Sequence, residues 1–338
     1  MPSTCFIIER PAKREVFAAS FRDRVVHHLY FNYTHDLFER TFISDSYSCI
    51  EGRGTHYGIK RLYNHIRQES RNYTRECYVL KFDKRGYFMH INRSKLLKIT
   101  KDSIIKMSMH RICKKSAQTW ADVIDVNFIL WLTEVIVTLD PTKNCIIKGN
   151  QKEWKGLDAK KSLFNAPNDC GLPIGNLTSQ LLSNVYLNVY DQFMKRVLGC
   201  KHYGRYVDDS YVVSSDKQWL HSIIEKVRAF LDDVLGLELN MGKLRIVNIR
   251  YGVEFLGAFL KPYRIYIANK SLQRIINSVK TLNLLDKTFA WNSINSFLGI
   301  LSHWKTYNIR CGLFLTKRLL SFCYYNKGLT KMCPLFSF

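Results

Sequence analysis

Two adjacent carboxylates in an apolar frame, Tyr206-Val207-Asp208-Asp209, constrain this chain more than any other stretch of its 338 residues. From Arg205 to Val213 the pattern reads as strand, tight turn and strand, with the acidic pair at the tip. Carboxylates pinned side by side on a hairpin repel each other. Such a pair suits a protein that must hold divalent metal against a triphosphate, where charge is neutralised in line with a displaced oxygen. The plainer alternative is an ordinary acidic turn. The chain carries its own control at Asp232-Asp233, an acidic pair in a helical stretch before Leu235-Gly236 that has no comparable apolar frame.

The metal reading requires a third carboxylate from a neighbouring strand, because two metals about 4 Å apart need a bridging ligand on each side. Cys77 to Phe82 reads as a buried strand that delivers Asp83 at its C-terminal end, ahead of Lys84-Arg85-Gly86-Tyr87-Phe88. Between the two acidic positions, Gly171 to Asn184 forms a glycine-bearing turn running into an amphipathic helix that ends near Val197. A loop of this kind brings backbone close to a nucleotide or template.

In this order the three segments resemble the palm motifs of the reverse transcriptase family: Asp83 in the first, Gly171 to Asn184 in the second, Tyr206 to Asp209 in the third. Phe21 to His28 and Ser48 to His56 look like the family's fingers motifs, Leu235 to Lys243 like its lysine-bearing motif, and Val253 to Gly257 like its primer grip. Within the family, Leu172 to Gln180 is the discriminating string. Group II intron and retron enzymes usually carry Gln where Ile174 stands and Ser-Pro where Ser179-Gln180 stands. This version resembles the reverse transcriptases of diversity-generating retroelements, bacterial and phage systems that copy a template-repeat RNA into cDNA with errors at adenines. The other readings are a retron-like, group II-related or antiviral reverse transcriptase, and, in a different class, a non-catalytic maturase-like RNA scaffold.

The resemblance implies an α+β right-hand polymerase: fingers over residues 1–76, a palm over 77–262 with a ferredoxin-like antiparallel sheet, and a helical thumb over 263–338. A helical insertion at about 110–168 returns to the fingers, since Trp120 to Leu139 is long and apolar and Gly149 to Asn168 is polar and loop-like. A helix from Asp216 to Val234 and strands at Leu244–Ile249 and Val253–Leu260 complete the palm. Leu272, Ile275, Ile276, Val279 and Leu282 recur at helical spacing, and two more helices are expected between Thr288 and Cys323.

The implied chemistry is attack of a primer 3′-hydroxyl on the α-phosphate of a dNTP. Asp83 and Asp208 are expected to hold two Mg²⁺ ions, for which Mn²⁺ can substitute, with Asp209 in support and the Lys84 backbone carbonyl as a further ligand. Lys243 is the candidate to protonate pyrophosphate, against the alternative of an exposed structural lysine. Arg14, Arg22 and Arg24 are candidate triphosphate clamps. Phe88 matches the family position whose ring excludes a 2′-hydroxyl, against a core aromatic. Ile174 and Gly175 complete the dNTP side. Arg53, Gly54, Ser179, Gln180, Gly257, Trp304 and Lys305 are the template and primer candidates.

Composition agrees without the resemblance. With 51 Lys and Arg against 28 Asp and Glu, the net charge is +23, which demands a polyanionic partner. A membrane is not expected, since the longest apolar stretch, Val126 to Leu132, is too short to span one. The last 84 residues hold twelve basic side chains and one acidic one, Asp286, interleaved with Trp291, Trp304, Tyr307, Phe314, Tyr324 and Tyr325, a mixture suited to tracking a phosphate backbone. The expected partners are template RNA, the RNA/cDNA hybrid, dNTPs and, by resemblance, a small basic accessory protein. Ten cysteines without a C-x-x-C pair, and no export signal, point to a reducing cytoplasm. His27-His28 are expected to pack or touch RNA, because neighbouring side chains diverge too far to share a metal.

Overall fold

The computed structural model describes residues 1–9, 12–113, 115–282, 286–315 and 323–334. The chain divides into two compact units, Met1–Ile246 and Val247–Phe338.

At the centre of the first unit is a four-stranded sheet. Its strands are β3 (Tyr78–Phe82), β5 (His202–Tyr206), β6 (Asp209–Ser214) and β7 (Arg245–Asn248), the last beginning in this unit, in the order β5-β6-β3-β7. Helix α6 (Leu177–Gln192) connects β3 to β5, and α7 (Lys217–Phe230) connects β6 to β7. Two split β-α-β units in this order are the ferredoxin-like arrangement. β6 pairs antiparallel with both β5 and β3.

Burial explains why these segments take these forms. Val79, Leu80 and Phe82 are all buried, as an interior strand requires. α6 has eleven buried residues on several faces, among them Leu181, Asn184, Tyr186 and Asp191, so it runs through the core. α7 is instead one-sided, burying Leu220, Ile223, Ile224 and Val227 at helical spacing, with Asp216 capping the Trp219 amide. Both helices end in a π turn, Phe193–Val197 and Leu231–Leu235. The control pair Asp232-Asp233 is exposed in the second of these turns.

An outer layer packs on this core. β1 (Ser3–Ile8) pairs antiparallel with β2 (Arg14–Ala18) and parallel with β4 (Cys145–Ile147), which ties the 110–168 segment to the N-terminus. The buried Glu15 carboxylate pins the same segment by accepting bonds from Trp154 Nε1 (2.8 Å), Ser162 Oγ (2.9 Å) and the Leu163 amide (2.7 Å). Helices α1 (Phe21–Glu39), α2 (Thr55–Glu69), the short α3 (Tyr87–His90), α4 (Arg93–Ser108) and α5 (Val126–Thr138) complete the unit. The expected long apolar helix is thus α5, preceded by a single 3-10 turn at Trp120–Asp122. No helix among the described residues is long and apolar enough to cross a membrane.

The second unit holds β8 (Val253–Phe255), β9 (Ala258–Lys261) and β10 (Arg264–Ile267) in one antiparallel sheet, then α8 (Asn269–Lys280), α9 (Lys287–Ser302), α10 (Tyr307–Arg310) and the hairpin of β11 (Cys323–Tyr325) and β12 (Met332–Pro334). Ile267, Ile275, Val279, Ile294, Leu298 and Met332 form its core. One expectation changes here. Val253 to Leu260 is a hairpin rather than one strand, turning at Leu256 and Gly257, whose φ angles of 49° and 81° fit a two-residue turn. The two compact units meet at 246/247, and β8 to β10 hydrogen-bond among themselves as a separate sheet. The described residues of the second unit are thus helical with strands at both ends. Part of the expected last helix, residues 316–322, lies outside the described residues.

Candidate active site

Pairing of Tyr206 with Asp209 closes the β5–β6 hairpin over two residues, Val207 and Asp208. Val207 has φ 53°, left-handed backbone that a β-branched side chain resists at a cost of about 1–3 kcal/mol. In the adjoining ladder Phe82 pairs with Ser210, so the next step places Asp83 level with Asp209. The two strands thus gather three carboxylates at one end of the sheet.

Electrostatics records the crowding. The Asp208 carboxyl is pushed up to about 6, first by burial and then by the charges of Asp209 and Asp83. Asp209 is also raised, chiefly by burial. Three lysines oppose the negative charge. Lys243 Nζ lies 2.7 Å from Asp83 Oδ2, and this bond raises its own pKa. Asn240 adds a second donor to the same oxygen (3.1 Å), while its backbone amide bonds the Asp83 carbonyl (2.8 Å). Lys81 lowers the Asp209 pKa by its charge.

Lys84 is the third, and it acts in a way the sequence did not suggest. Its side chain is fully buried, donating to the Asp208 carbonyl (2.9 Å) and Ser210 Oγ (3.0 Å) with its ammonium over the Tyr190 ring. Burial first, and then Arg205, depress its pKa. The residue expected to offer a backbone carbonyl is thus also a brace beneath the hairpin.

The donor set fits a hard divalent cation: oxygen ligands only, from carboxylates whose mutual repulsion a cation would relieve. Among the described residues no three His, Cys, Asp or Glu side chains are drawn together closely enough to hold a metal, and Lys243 instead neutralises Asp83.

Of the residues expected to contact the nucleotide, the structure brings Phe88 and Ile174 into one small apolar cluster with Cys5, Phe17, Met89 and Leu163. Both are half-buried, and the Leu172 amide bonds the Phe88 carbonyl (2.9 Å) while the Phe17 amide bonds that of Ile174 (2.8 Å). Gly175, at φ 131°, could not carry a Cβ, which would stand 2.8 Å from the Phe17 carbonyl oxygen. Arg14, Arg22 and Arg24 are exposed, the last over the Phe21 ring.

Some template-side candidates are engaged within the protein. Arg53 Nη1 donates to the Ile43 and Ser46 carbonyls (3.0 Å each), bracing a loop. Gly54, at φ 155°, caps α2. Ser179 is buried in α6 while its neighbour Gln180 is exposed. In the second unit Gly257 occupies the β8–β9 turn, Trp304 packs on the core and Lys305 is exposed. His27 is buried against Thr178 (2.9 Å) and its pKa is lowered by burial, whereas His28 is exposed.

Sequence reasoning missed Ser48, Asn184, Asp191 and Arg205, which lie behind the hairpin. The available signal was a charged residue, Arg205, in a strand buried from His202 to Arg205, and an acid, Asp191, in a helix buried on several faces.

A ferredoxin-like sheet with three carboxylates at its strand ends, covered by a helical and stranded N-terminal layer, defines a right-hand polymerase. The sequence model of the reverse transcriptase (RNA-dependent DNA polymerase) family matches residues 13–260, and the chain belongs to that family. Protein YkfC of Escherichia coli (strain K12) is 31% identical over 31% of this chain and 36% of its own length. Among solved structures, telomerase from Candida albicans, in complex with a TWJ fragment of telomeric RNA, superposes with a TM-score of 0.53 at 12% identity, covering 92% of this chain and 55% of that one. Apo telomerase from Candida tropicalis gives 0.53 at 12% identity, covering 87% and 51%. The chain thus spans about a third of the bacterial relative and about half of the telomerases. At these identities the telomerase likeness concerns the fold.

Proposed function

We propose that this chain is an RNA-directed DNA polymerase that extends a primer along template RNA with dNTPs. The observation that carries the reading is the convergence of Asp83, Asp208 and Asp209 at one end of the palm sheet, with Asp208 held at a raised pKa by burial and by the other two. Asp83 and Asp208 would hold two Mg²⁺ ions, with Asp209 beside them. When bound, the ions lower the pKa of the primer hydroxyl and neutralise the triphosphate. Lys243, whose side chain is 69% exposed, neutralises Asp83 in their absence and carries a proton that the leaving pyrophosphate can take up. Phe88 and Ile174 would meet the sugar of the dNTP from their apolar cluster, and the exposed Arg14, Arg22 and Arg24 would supply guanidinium groups for the phosphates.

The finer reading is a diversity-generating retroelement enzyme that copies a template-repeat RNA for mutagenic retrohoming, working in the cytoplasm with a small basic accessory protein. Its support is the string Leu172 to Gln180, with Ile174 in place of a polar side chain. Isoleucine offers shape and dispersion but no hydrogen bond to hold a correct pair. The test is Mg²⁺-dependent primer extension on a defined RNA, followed by sequencing of the cDNA. Extension with errors concentrated opposite adenine is expected. RNA binding without incorporation overturns the polymerase reading, and an error spectrum flat across template bases overturns the retroelement one.

A further inference from the structure

Val207 is held in a conformation it would not choose, and both of its backbone groups are tied down. Its amide donates to Ser48 Oγ (3.2 Å), and its carbonyl accepts from Arg205 Nη1 (3.0 Å). Arg205 is 0% exposed, and its guanidinium has no donor to spare. Nε and Nη2 grip the Asp191 carboxylate at 2.8 and 2.7 Å, Nη1 also reaches Asn184 Oδ1 (3.1 Å), and Nη2 also reaches Ser46 Oγ (3.2 Å).

The surrounding groups are fixed in turn. Asp191 is 0% exposed and takes a further bond from Tyr203 Oη (2.6 Å). Asn184 Nδ2 donates to the Ser48 carbonyl (2.9 Å), so α6 holds both the arginine and the serine. Arg205 also exchanges backbone bonds with the Asp45–Tyr47 segment: its amide reaches the Asp45 carbonyl (2.9 Å) and its carbonyl accepts from the Tyr47 amide (3.0 Å). The network therefore starts in α6 and the Asp45–Ser48 segment and ends on the peptide units flanking Val207, one residue before Asp208.

A left-handed valine relaxes unless its surroundings over-determine it. Relaxation at φ of Val207 would swing the following peptide and move the Asp208 carboxylate relative to Asp83. Displacements of about 1 Å at a reacting centre can cost about a hundredfold in rate.

We propose that Ser48 and Arg205, backed by Asn184 and Asp191, are positioning residues that hold Val207 in its left-handed conformation and thereby set where Asp208 presents its carboxylate. The role rests on the polymerase reading for its kinetic consequence, but the effect on cation binding is independent of it.

Arg205→Lys is the obvious variant, yet one ammonium cannot replace five satisfied donors, so that substitution tests folding as much as positioning. Ser48→Ala is milder, since it removes one acceptor from the hairpin. Val207→Gly supplies the discriminating background, because glycine adopts φ 53° without strain and needs no clamp. The full chain and its variants are compared by Mn²⁺ binding read by electron paramagnetic resonance, single-turnover dNTP incorporation, RNA affinity and melting temperature. Ser48→Ala is expected to slow incorporation by about tenfold and weaken Mn²⁺ binding by about threefold, with RNA affinity unchanged. In the Val207→Gly background the same substitution is expected to change either quantity by less than about twofold.

Equal losses from Ser48→Ala in both backgrounds would overturn the proposal, since the serine would then act without reference to the strained turn. Unchanged Mn²⁺ binding and rate in the Ser48→Ala protein would overturn it as well. A parent that binds Mn²⁺ but incorporates no nucleotide would defeat the polymerase reading alone, and the Mn²⁺ comparison would still decide the clamp.

Discussion

Asp208→Asn should stabilise the metal-free protein at neutral pH while removing its proposed catalytic function. The Asp208 carboxyl rises from its ordinary 3.8 to about 6, driven by burial and by the charges of Asp209 and Asp83. At about 1.4 kcal/mol per pH unit, keeping it ionised at pH 7.5 costs the fold about 3 kcal/mol. The folded pKa lies above the unfolded one, so the folded protein binds the extra proton. The stability this contributes is full below about 3.8 and is lost as pH rises through about 6. Asparagine keeps the shape and carries no charge, but it loses the attraction to Lys84 and leaves an amide to satisfy, so a net gain of about 1–3 kcal/mol is expected. Urea denaturation of parent and variant with a chelator at pH 7.5 and pH 5 measures it. The gain should shrink at pH 5, and Mg²⁺ should raise the melting temperature of the parent but not of the variant. A variant less stable than the parent at pH 7.5, or a difference independent of pH, would refute the electrostatic reasoning.

Three further outcomes are expected. Gly204→Ala should cost about 2–4 kcal/mol in chemical denaturation, because the new Cβ would stand 2.3 Å from Tyr47 Oη and 2.7 Å from Tyr211 Oη, two hydroxyls hydrogen-bonded to each other in the core. Phe88→Ala should admit ribonucleotides in competition assays with dNTPs, and unchanged discrimination in an active variant would assign the ring to packing with Met89 and Leu163 alone. Ile174→Gln should lower errors opposite adenine by about fivefold relative to other template bases, the worth of one positioning hydrogen bond of about 1 kcal/mol, as read by cDNA sequencing.

The parts of the site legible in the sequence were those carried by local pattern. Apolar residues flanking Asp208 and Asp209 marked a hairpin, and the run to Phe82 marked a strand ending in a carboxylate; the structure pairs those strands in one sheet. What stayed hidden depends on contacts between distant segments. Val207 reads as an ordinary strand residue, and valine's own preference argues against φ 53°; only Ser48, 159 residues away, and Arg205 make that angle tenable. The bracing role of the Lys84 side chain stayed hidden because its burial beneath Asp208 and Ser210 has no local signature. The bonds of Arg53 to Ile43 and Ser46 were equally hidden, since they depend on how a loop folds back. The Val253 to Leu260 hairpin was missed for a different reason. Leu256-Gly257 is a two-residue turn whose first position takes φ 49° without the Asn or Asp that usually announces it.

The central claim is that the acidic cluster at the end of the palm sheet performs nucleotide transfer on an RNA template. The most direct measurement is single-turnover incorporation of dNTP on a primed RNA, with Mg²⁺, by the parent protein and by Asp208→Asn side by side, with RNA affinity measured on the same preparations. The account predicts extension by the parent, none by the variant, and RNA affinity equal within about twofold because the basic surface is untouched. Extension by Asp208→Asn at a rate near that of the parent, or a parent that binds the primed RNA and adds nothing, would contradict it.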